Sequence, residues 1–297
     1  MTAPCLMLVS HGNRGIVEQP DGARLECLFR RSVGRPLCGD RVEIEEADDH
    51  SVVVTSILPR KNEFVRAGPR GRKQAIAANL DQVLIVVAPI PEPSRDLVER
   101  YLVAVHSLGI RPLILLNKAE MLSSVSLASD SPLRRLDEYV ELGYPVLETS
   151  CKTAPGIEVL PPALESRTSI LVGQSGVGKS SLANALLPDL DLQTGGLSRV
   201  TGKGTHTTTT TIMYSLPCGG RLIDSPGVWE YGLWPMSQQE LAAGFRDFAS
   251  FEGHCRFNNC CHAGEPGCAI RSAVEAGDIR DWRYRSYLRL LEQAAVE

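Results

Sequence analysis

The chain lacks an apolar run long enough to cross a bilayer, since the stretch 83–90 is soon interrupted by Pro91 and Pro93. Residues 1–10 have neither the basic start nor the long apolar centre of a secretory signal, so a cytoplasmic location with no membrane partner is expected. Positive charge is not in excess either. The 31 Lys and Arg stand against 35 Asp and Glu, which excludes a surface coated in basic residues but not a local basic patch. A disulfide framework is missing too: of nine cysteines, four fall within 255–268 and five are scattered, a distribution that in a reducing compartment holds metal. With 297 residues and ordinary charged and apolar fractions, two or three soluble domains are expected.

What is present centres on Gly173-Gln174-Ser175-Gly176-Val177-Gly178-Lys179-Ser180. An apolar run, Ser169-Ile170-Leu171-Val172, precedes it, and a helical stretch from Ser181 to Leu187 follows. Strand, glycine loop and helix in the spacing G-x-x-x-x-G-K-S wrap a polyphosphate with backbone N–H groups at the positive end of the helix. Gly173, Gly176 and Gly178 allow positive φ and leave room for phosphate oxygens. Lys179 is expected to reach the β- and γ-phosphates, Ser180 to ligate Mg²⁺, and Gln174, Ser175, Val177 and Ser181 to complete the cradle.

Residues 1–68 read as a small β-barrel of the OB type. Short β-forming stretches at Leu6-Met7-Leu8-Val9, 24–29, 41–44 and 51–55 are separated by turns at 11–13, 20–22, 38–40 and 48–49. Such a barrel holds nucleic acid or simply docks. Arg60, Lys61, Arg66, Arg70, Arg72 and Lys73 crowd the connector after it, either facing RNA phosphate or lying solvated in a linker.

From 69 to 232 the pattern becomes β-α-β, predicting a doubly wound sheet with ligands at the carboxyl ends of its strands. A buried strand at 81–88, a helix within 95–109 and a second strand at 111–116 end in Asn117-Lys118-Ala119-Glu120. This resembles the guanine-reading N-K-x-D element of GTPases, with Asn117 orienting the base, Lys118 lying along its plane and Glu120 accepting from the ring N1 and exocyclic amine. A carboxylate there disfavours adenine, which offers the opposite polarity. After a strand at 144–149, Ser150-Cys151-Lys152 resembles the S-A-K loop that backs the base, with Cys151 a small apolar residue rather than a reactive thiol.

Beyond the phosphate loop lies a glycine-rich segment, 193–203, and then Gly204-Thr205-His206-Thr207-Thr208-Thr209-Thr210-Thr211. One threonine is expected on Mg²⁺, Thr208 ahead of Thr207, while 209–215 reads as a threonine-rich edge strand. The strand 221–224 ends in Asp224-Ser225-Pro226-Gly227, with Asp224 expected on Mg²⁺ through water and the Gly227 N–H at the γ-phosphate. Val228 stands where many GTPases place a water-positioning glutamine, and an apolar side chain cannot orient water. His206 is the nearest alternative for that task, or else it contacts RNA or packs. Because the base-reading stretches precede the phosphate loop, the order is a circular permutation of the usual GTPase order.

In the C-terminal part, 233–297, Cys255-x₄-Cys260-x-His262-x₅-Cys268 offers four N and S donors for a closed, structural Zn²⁺ site, with Cys261 the substitute for Cys260. The stretch 278–291 reads as an amphipathic helix carrying Arg280, Arg283, Arg285 and Arg289 beside Trp282, Tyr284 and Tyr287. It either stacks on RNA or turns its rings inward and its arginines into water.

Together these residues resemble the circularly permuted ribosome-assembly GTPases of the RsgA (YjeQ/YloQ) type. The likeness is carried by Gly39-Asp40-Arg41-Val42, Leu58-Pro59-Arg60-Lys61, the permuted GTPase stretches, 204–209, and Glu265-Pro266-Gly267-Cys268. The resemblance implies a multidomain α/β protein: an OB barrel, a permuted P-loop GTPase and a helical zinc domain. It further implies GTP, GDP, Mg²⁺ and one structural Zn²⁺ as ligands, and a monomer binding the small ribosomal subunit and its rRNA late in maturation. That subunit would stimulate hydrolysis. The competing expectation is a zinc-containing RNA-binding adaptor whose nucleotide is structural.

Overall fold

The computed structural model describes residues 3–48, 51–67, 73–153, 156–187, 211–224 and 236–294. Five strands, β1 (Cys5–His11), β2 (Arg14–Glu18), β3 (Arg24–Phe29), β4 (Arg41–Asp48) and β5 (Ser51–Ile57), run in the order β1-β2-β3-β5-β4. β4 returns to β1 through Cys5↔Val42 and Leu6↔Arg41, closing the barrel. Its core of Cys5, Met7, Val17, Cys27, Val42, Val52 and Val54 follows the two-residue period of strands, every second side chain pointing inward. β2 escaped the sequence pattern because it is short and polar at both ends. Gly15 within it permits a close approach, since a Cβ there would stand 2.4 Å from the Val9 carbonyl oxygen.

The described parts of the basic connector are structured rather than free. β6 (Glu63–Ala67) pairs with β7 (Lys73–Ala78), and the described cations meet acids remote in sequence. Arg60 donates to both oxygens of buried Asp40 at 2.8 and 2.7 Å and to Glu63 at 2.6 Å; Lys61 pairs with Asp81 at 2.9 Å, and Lys73 with Glu240 at 3.7 Å. Local counting saw Glu63 alone, because Asp40, Asp81 and Glu240 arrive from other elements. The Arg66 side chain, Arg70 and Arg72 lie outside the described residues.

The second sheet holds β8 (Gln82–Val87), β9 (Arg111–Leu116), β10 (Val146–Glu148), β11 (Thr168–Val172), β12 (Ile212–Ser215) and β13 (Arg221–Asp224). In the order β10-β9-β8-β11-β13 all strands are parallel, and β8 is buried along its whole length as its unbroken apolar run requires. α1 (Leu97–Ser107), α2 (Leu136–Glu141), α3 (Pro161–Leu164) and α4 (Lys179–Leu186) accompany it. β12 was expected at an edge. Instead it lies antiparallel to β13 on one side and meets β1 at Val9↔Ile212 on the other, so the barrel and the parallel sheet share one continuous hydrogen-bonded surface. Thr209 and Thr210 are outside the described residues.

The C-terminal unit contains α5 (Gln238–Ala243), α6 (Ala269–Ala276) and α7 (Asp281–Ala294). α5 begins with a capping box in which Ser237 and Glu240 satisfy each other's backbone N–H groups. The unit's core, including Phe245, Phe248, Ile270, Tyr287 and Leu290, closes on Val103 of α1. α7 follows the inward-rings expectation, with Arg285 exposed, but departs from it at Arg283, Arg289 and the preceding Arg280. Its rings do pack inward, but Arg283 is buried with them, between Glu99 of α1 and Asp247, and its guanidinium lies 4.6 Å from the Phe245 ring centroid. Arg289 binds both oxygens of Asp96 at 2.8 and 2.6 Å, and Arg280 pairs with Glu138 and Glu141 of α2. Arg283 and Arg289 of α7, with Arg280 just before it, thus fasten the helix to the rest of the chain, whereas Arg285 is exposed and pairs with Asp281 of the same helix. No described helix is long and apolar enough to cross a membrane.

Candidate functional site

The phosphate loop leaves the carboxyl end of β11 and enters α4, whose first residue is Lys179. Two of its glycines are demanded by the sheet. Gly173 has φ 146°, and a Cβ there would stand 2.3 Å from the Val86 carbonyl oxygen of β8. Gly178 has φ 99°, and its Cβ would meet the Asn117 amide nitrogen at 2.3 Å. A Cβ added at Gly176 would meet Pro91 only at 3.5 Å, an ordinary contact, so there it is φ 80° rather than space that favours glycine. Val177 is buried, Ser175, Ser180 and Ser181 are exposed, and the Lys179 ammonium donates to the carbonyls of Gly173 and Gln174 at 2.7 Å each.

The N-K-x-E stretch folds against this loop. Asn117, at the end of β9, is 2% exposed and donates from Nδ2 to the Val177 carbonyl at 2.8 Å. Lys118, in the left-handed region at φ 57°, reaches across to the carbonyls of Gly176 at 2.6 Å and Ile90 at 2.8 Å. The Ala119 N–H then donates to the Thr149 carbonyl at 3.2 Å, bringing 150–153 alongside. There the Ser150 hydroxyl accepts from the N–H groups of Lys152 and Thr153 at 2.9 Å each, fixing the turn. Burial, and then the nearby Glu120 carboxylate, push the exposed Cys151 thiol up, which disfavours its thiolate. Asn117 Oδ1, Glu120 Oε2 and Gln174 Oε1 are among the described buried side-chain atoms without a hydrogen-bond partner, as are Ser131 Oγ and Arg221 Nη1 away from this site. Asp224 ends β13, the neighbour of β11, at the same edge of the sheet. His206, Thr207, Thr208, Gly227 and Val228 lie outside the described residues.

A second constellation lies in the C-terminal unit. The donor atoms of Cys255, Cys260, His262 and Cys268 all fall within 4.8 Å of one another, close to the roughly 3.8 Å edges of a tetrahedron built on ~2.3 Å zinc–sulfur bonds. His262 Nδ1 is 3.5 Å from the sulfurs of both Cys255 and Cys268. Burial lowers the His262 imidazole, favouring the neutral form that ligates metal. Cys261 is not among the clustered donors and hydrogen-bonds Gln238 Oε1 at 2.7 Å, which favours Cys260 over it. Three residues that the spacing did not reveal hold this loop. Tyr284 and Tyr287 of α7 donate to the carbonyls of His262 and Cys261 at 2.7 and 2.6 Å. The Glu265 carboxylate accepts from the N–H groups of Cys261 and Ala263 at 2.8 Å each, and of Gly264 at 3.2 Å. The tyrosines' positions three apart on a helix were the available signal.

The RsgA GTPase family model matches residues 57–234. A protein named small ribosomal subunit biogenesis GTPase RsgA from Ectopseudomonas mendocina is 44% identical over 277 residues, 93% of this chain and 80% of that protein. One of the same name from Pseudomonas aeruginosa is 45% identical over 275 residues, again 93% and 80%. The crystal structure of YjeQ from Thermotoga maritima superposes with a TM-score of 0.79 at 30% identity, covering 100% of both chains. That of YloQ, a circularly permuted GTPase, gives 0.77 at 25% identity over 99% and 96%.

Proposed function

The chain belongs to the RsgA GTPase family, and on that premise we propose that it binds the small ribosomal subunit late in maturation and hydrolyses GTP to GDP and phosphate. Hydrolysis times its own release or that of assembly factors. The observation that carries the reading is the clamp of Asn117 and Lys118 on the carbonyls of Val177 and Gly176. It brings the stretch 117–120 against the phosphate loop in permuted chain order, which supports a shared site for base and phosphates.

The proposed division of labour follows from the chemistry of each group. Asn117, Glu120 and the 150–152 turn read the guanine; Glu120 stands one methylene longer than aspartate, and its buried oxygen needs a donor that adenine lacks. Backbone N–H groups of 173–181 and the Lys179 ammonium balance the triphosphate charge, and the Gly227 N–H meets the γ-phosphate. Ser180, Thr208 and Asp224 would hold Mg²⁺, which neutralises charge on the phosphates. His206 orients the attacking water or takes its proton, since Val228 can do neither. Cys255, Cys260, His262 and Cys268 would hold one structural Zn²⁺ and leave no position open for chemistry.

In this reading the protein is a cytoplasmic monomer of three units, 1–68, 69–232 and 233–297, whose barrel and zinc unit grip rRNA on either side of the nucleotide. Co-sedimentation with small subunits in a non-hydrolysable GTP analogue, set against GDP, tests it, together with phosphate release with and without subunits. Retention in the analogue and stimulated release are expected. Equal retention in both states, or unstimulated release, would leave an adaptor with a structural nucleotide.

A further inference from the structure

We propose that Phe257, flanked by Arg256, is a stacking platform for one unpaired base of the bound RNA. The proposal rests on the ribosomal reading above and names how its zinc-holding end recognises that partner.

The large apolar side chains exposed among the described residues are Leu28, Ile90, Val140 and Phe257, and Phe257, at 42%, is the aromatic one. Other rings of the same unit are withdrawn: Phe245, Phe248 and Tyr287 are buried in its core. Phe257 stays out although its backbone is held on both sides. Cys255 and Cys260, two of the four clustered donors, bracket it in sequence. The Arg256 N–H donates to the Gly267 carbonyl at 2.9 Å, and the Cys260 N–H to the Phe257 carbonyl at 3.2 Å. A ring presented on a braced loop stacks with little further loss of conformational freedom.

The surroundings favour a nucleotide over an apolar protein groove. The Arg256 guanidinium lies over one face of the ring, 5.4 Å from its centroid, so a base would stack on the opposite face with a positive charge close by for its phosphate. Asn258 and Asn259, both exposed, offer amide donors and acceptors next to it. The Glu265 carboxylate is turned to the backbone N–H groups of 261, 263 and 264 rather than to this face. An aromatic face, a guanidinium and amides together are the means by which proteins read splayed bases in single-stranded RNA.

The test uses the full-length, zinc-loaded protein and two probes: small ribosomal subunits in a non-hydrolysable GTP analogue, and a short fluorescent single-stranded oligoribonucleotide. Phe257→Leu, which keeps an apolar group but removes the π face, should weaken binding to both probes by about five- to a hundredfold. Phe257→Trp should bind at least as tightly as the parent. Arg256→Gln should weaken binding and reduce the salt dependence by about one phosphate contact. Zinc content and GTP turnover without subunits should not change. Leucine binding as well as the parent would overturn the proposal. So would a loss confined to subunits with the oligoribonucleotide unaffected, which would assign the ring to a ribosomal protein. If the leucine variant sheds zinc, Arg256→Gln decides, and an unchanged affinity and salt slope there would overturn the platform. If the parent fails to bind subunits, the ribosomal reading falls, while the oligoribonucleotide still decides the platform.

Discussion

Replacing Arg283 with Met should loosen the attachment of α7 by several kcal/mol. In the parent, Arg283 is 1% exposed and pairs with Glu99, which also accepts from the Tyr139 hydroxyl at 2.6 Å, and with Asp247 at 2.8 Å. Methionine matches much of the stem's volume but leaves two buried carboxylates without a counter-ion. Burial already holds the Asp247 carboxyl above its ordinary range with Arg283 beside it, and removing that cation raises it further. Glu99 adds to this, in line with the ~3–5 kcal/mol typical of breaking a buried ion pair from one side. Hydrogen exchange in α7 should then run at least about a hundredfold faster than in the parent. The sign of the pH dependence is fixed. In the variant the folded carboxyl binds its proton more tightly than the unfolded one, so the deficit is absent below about pH 4 and grows as pH rises through about 6. Adding Glu99→Gln and Asp247→Asn should restore most of the protection. Exchange in α7 within about threefold of the parent at pH 7, or a deficit that does not shrink at pH 5, would refute the reasoning.

Gly178→Ala should cost the loop about 1–2 kcal/mol of backbone strain and displace the Asn117 amide. GTP affinity should fall about tenfold or more, read by titration with a fluorescent analogue. His206→Ala should lower turnover by about 10²–10⁴-fold with nucleotide affinity intact; unchanged turnover would remove His206 from the mechanism. Cys260→Ser should reduce the zinc bound after dialysis, whereas Cys261→Ser should leave it at the parent level, since Cys261 faces Gln238. Equal loss in both would reopen the ligand set.

Much of the candidate site was legible in the sequence because its parts are local. Gly173 to Ser180 lie in one turn of chain, and their spacing alone prescribes a loop at a helix N-terminus. Cys255, Cys260, His262 and Cys268 likewise fall within one loop, and the unbroken apolar run of β8 announced a strand buried on both faces. Gly178 was legible only in part: its freedom suited a phosphate, but its necessity comes from Asn117, reached through the fold. Gly15 hid β2 for the same reason, since its value is the closeness of Val9 and not a local propensity.

Taken alone, the order of residues determined the chemistry on offer: a phosphate-loop spacing, a stretch resembling a base-reading element placed ahead of it, and a thiol–imidazole cluster. The tertiary structure decided what those pieces face. It put β12 between barrel and sheet, turned Cys261 out of the cluster, and buried Arg283 between carboxylates from α1 and from the segment following α5. The physical reason is that spacing governs what a few neighbouring residues can do, whereas the burial and charge balance of a long side chain depend on partners brought to it from elsewhere in the chain.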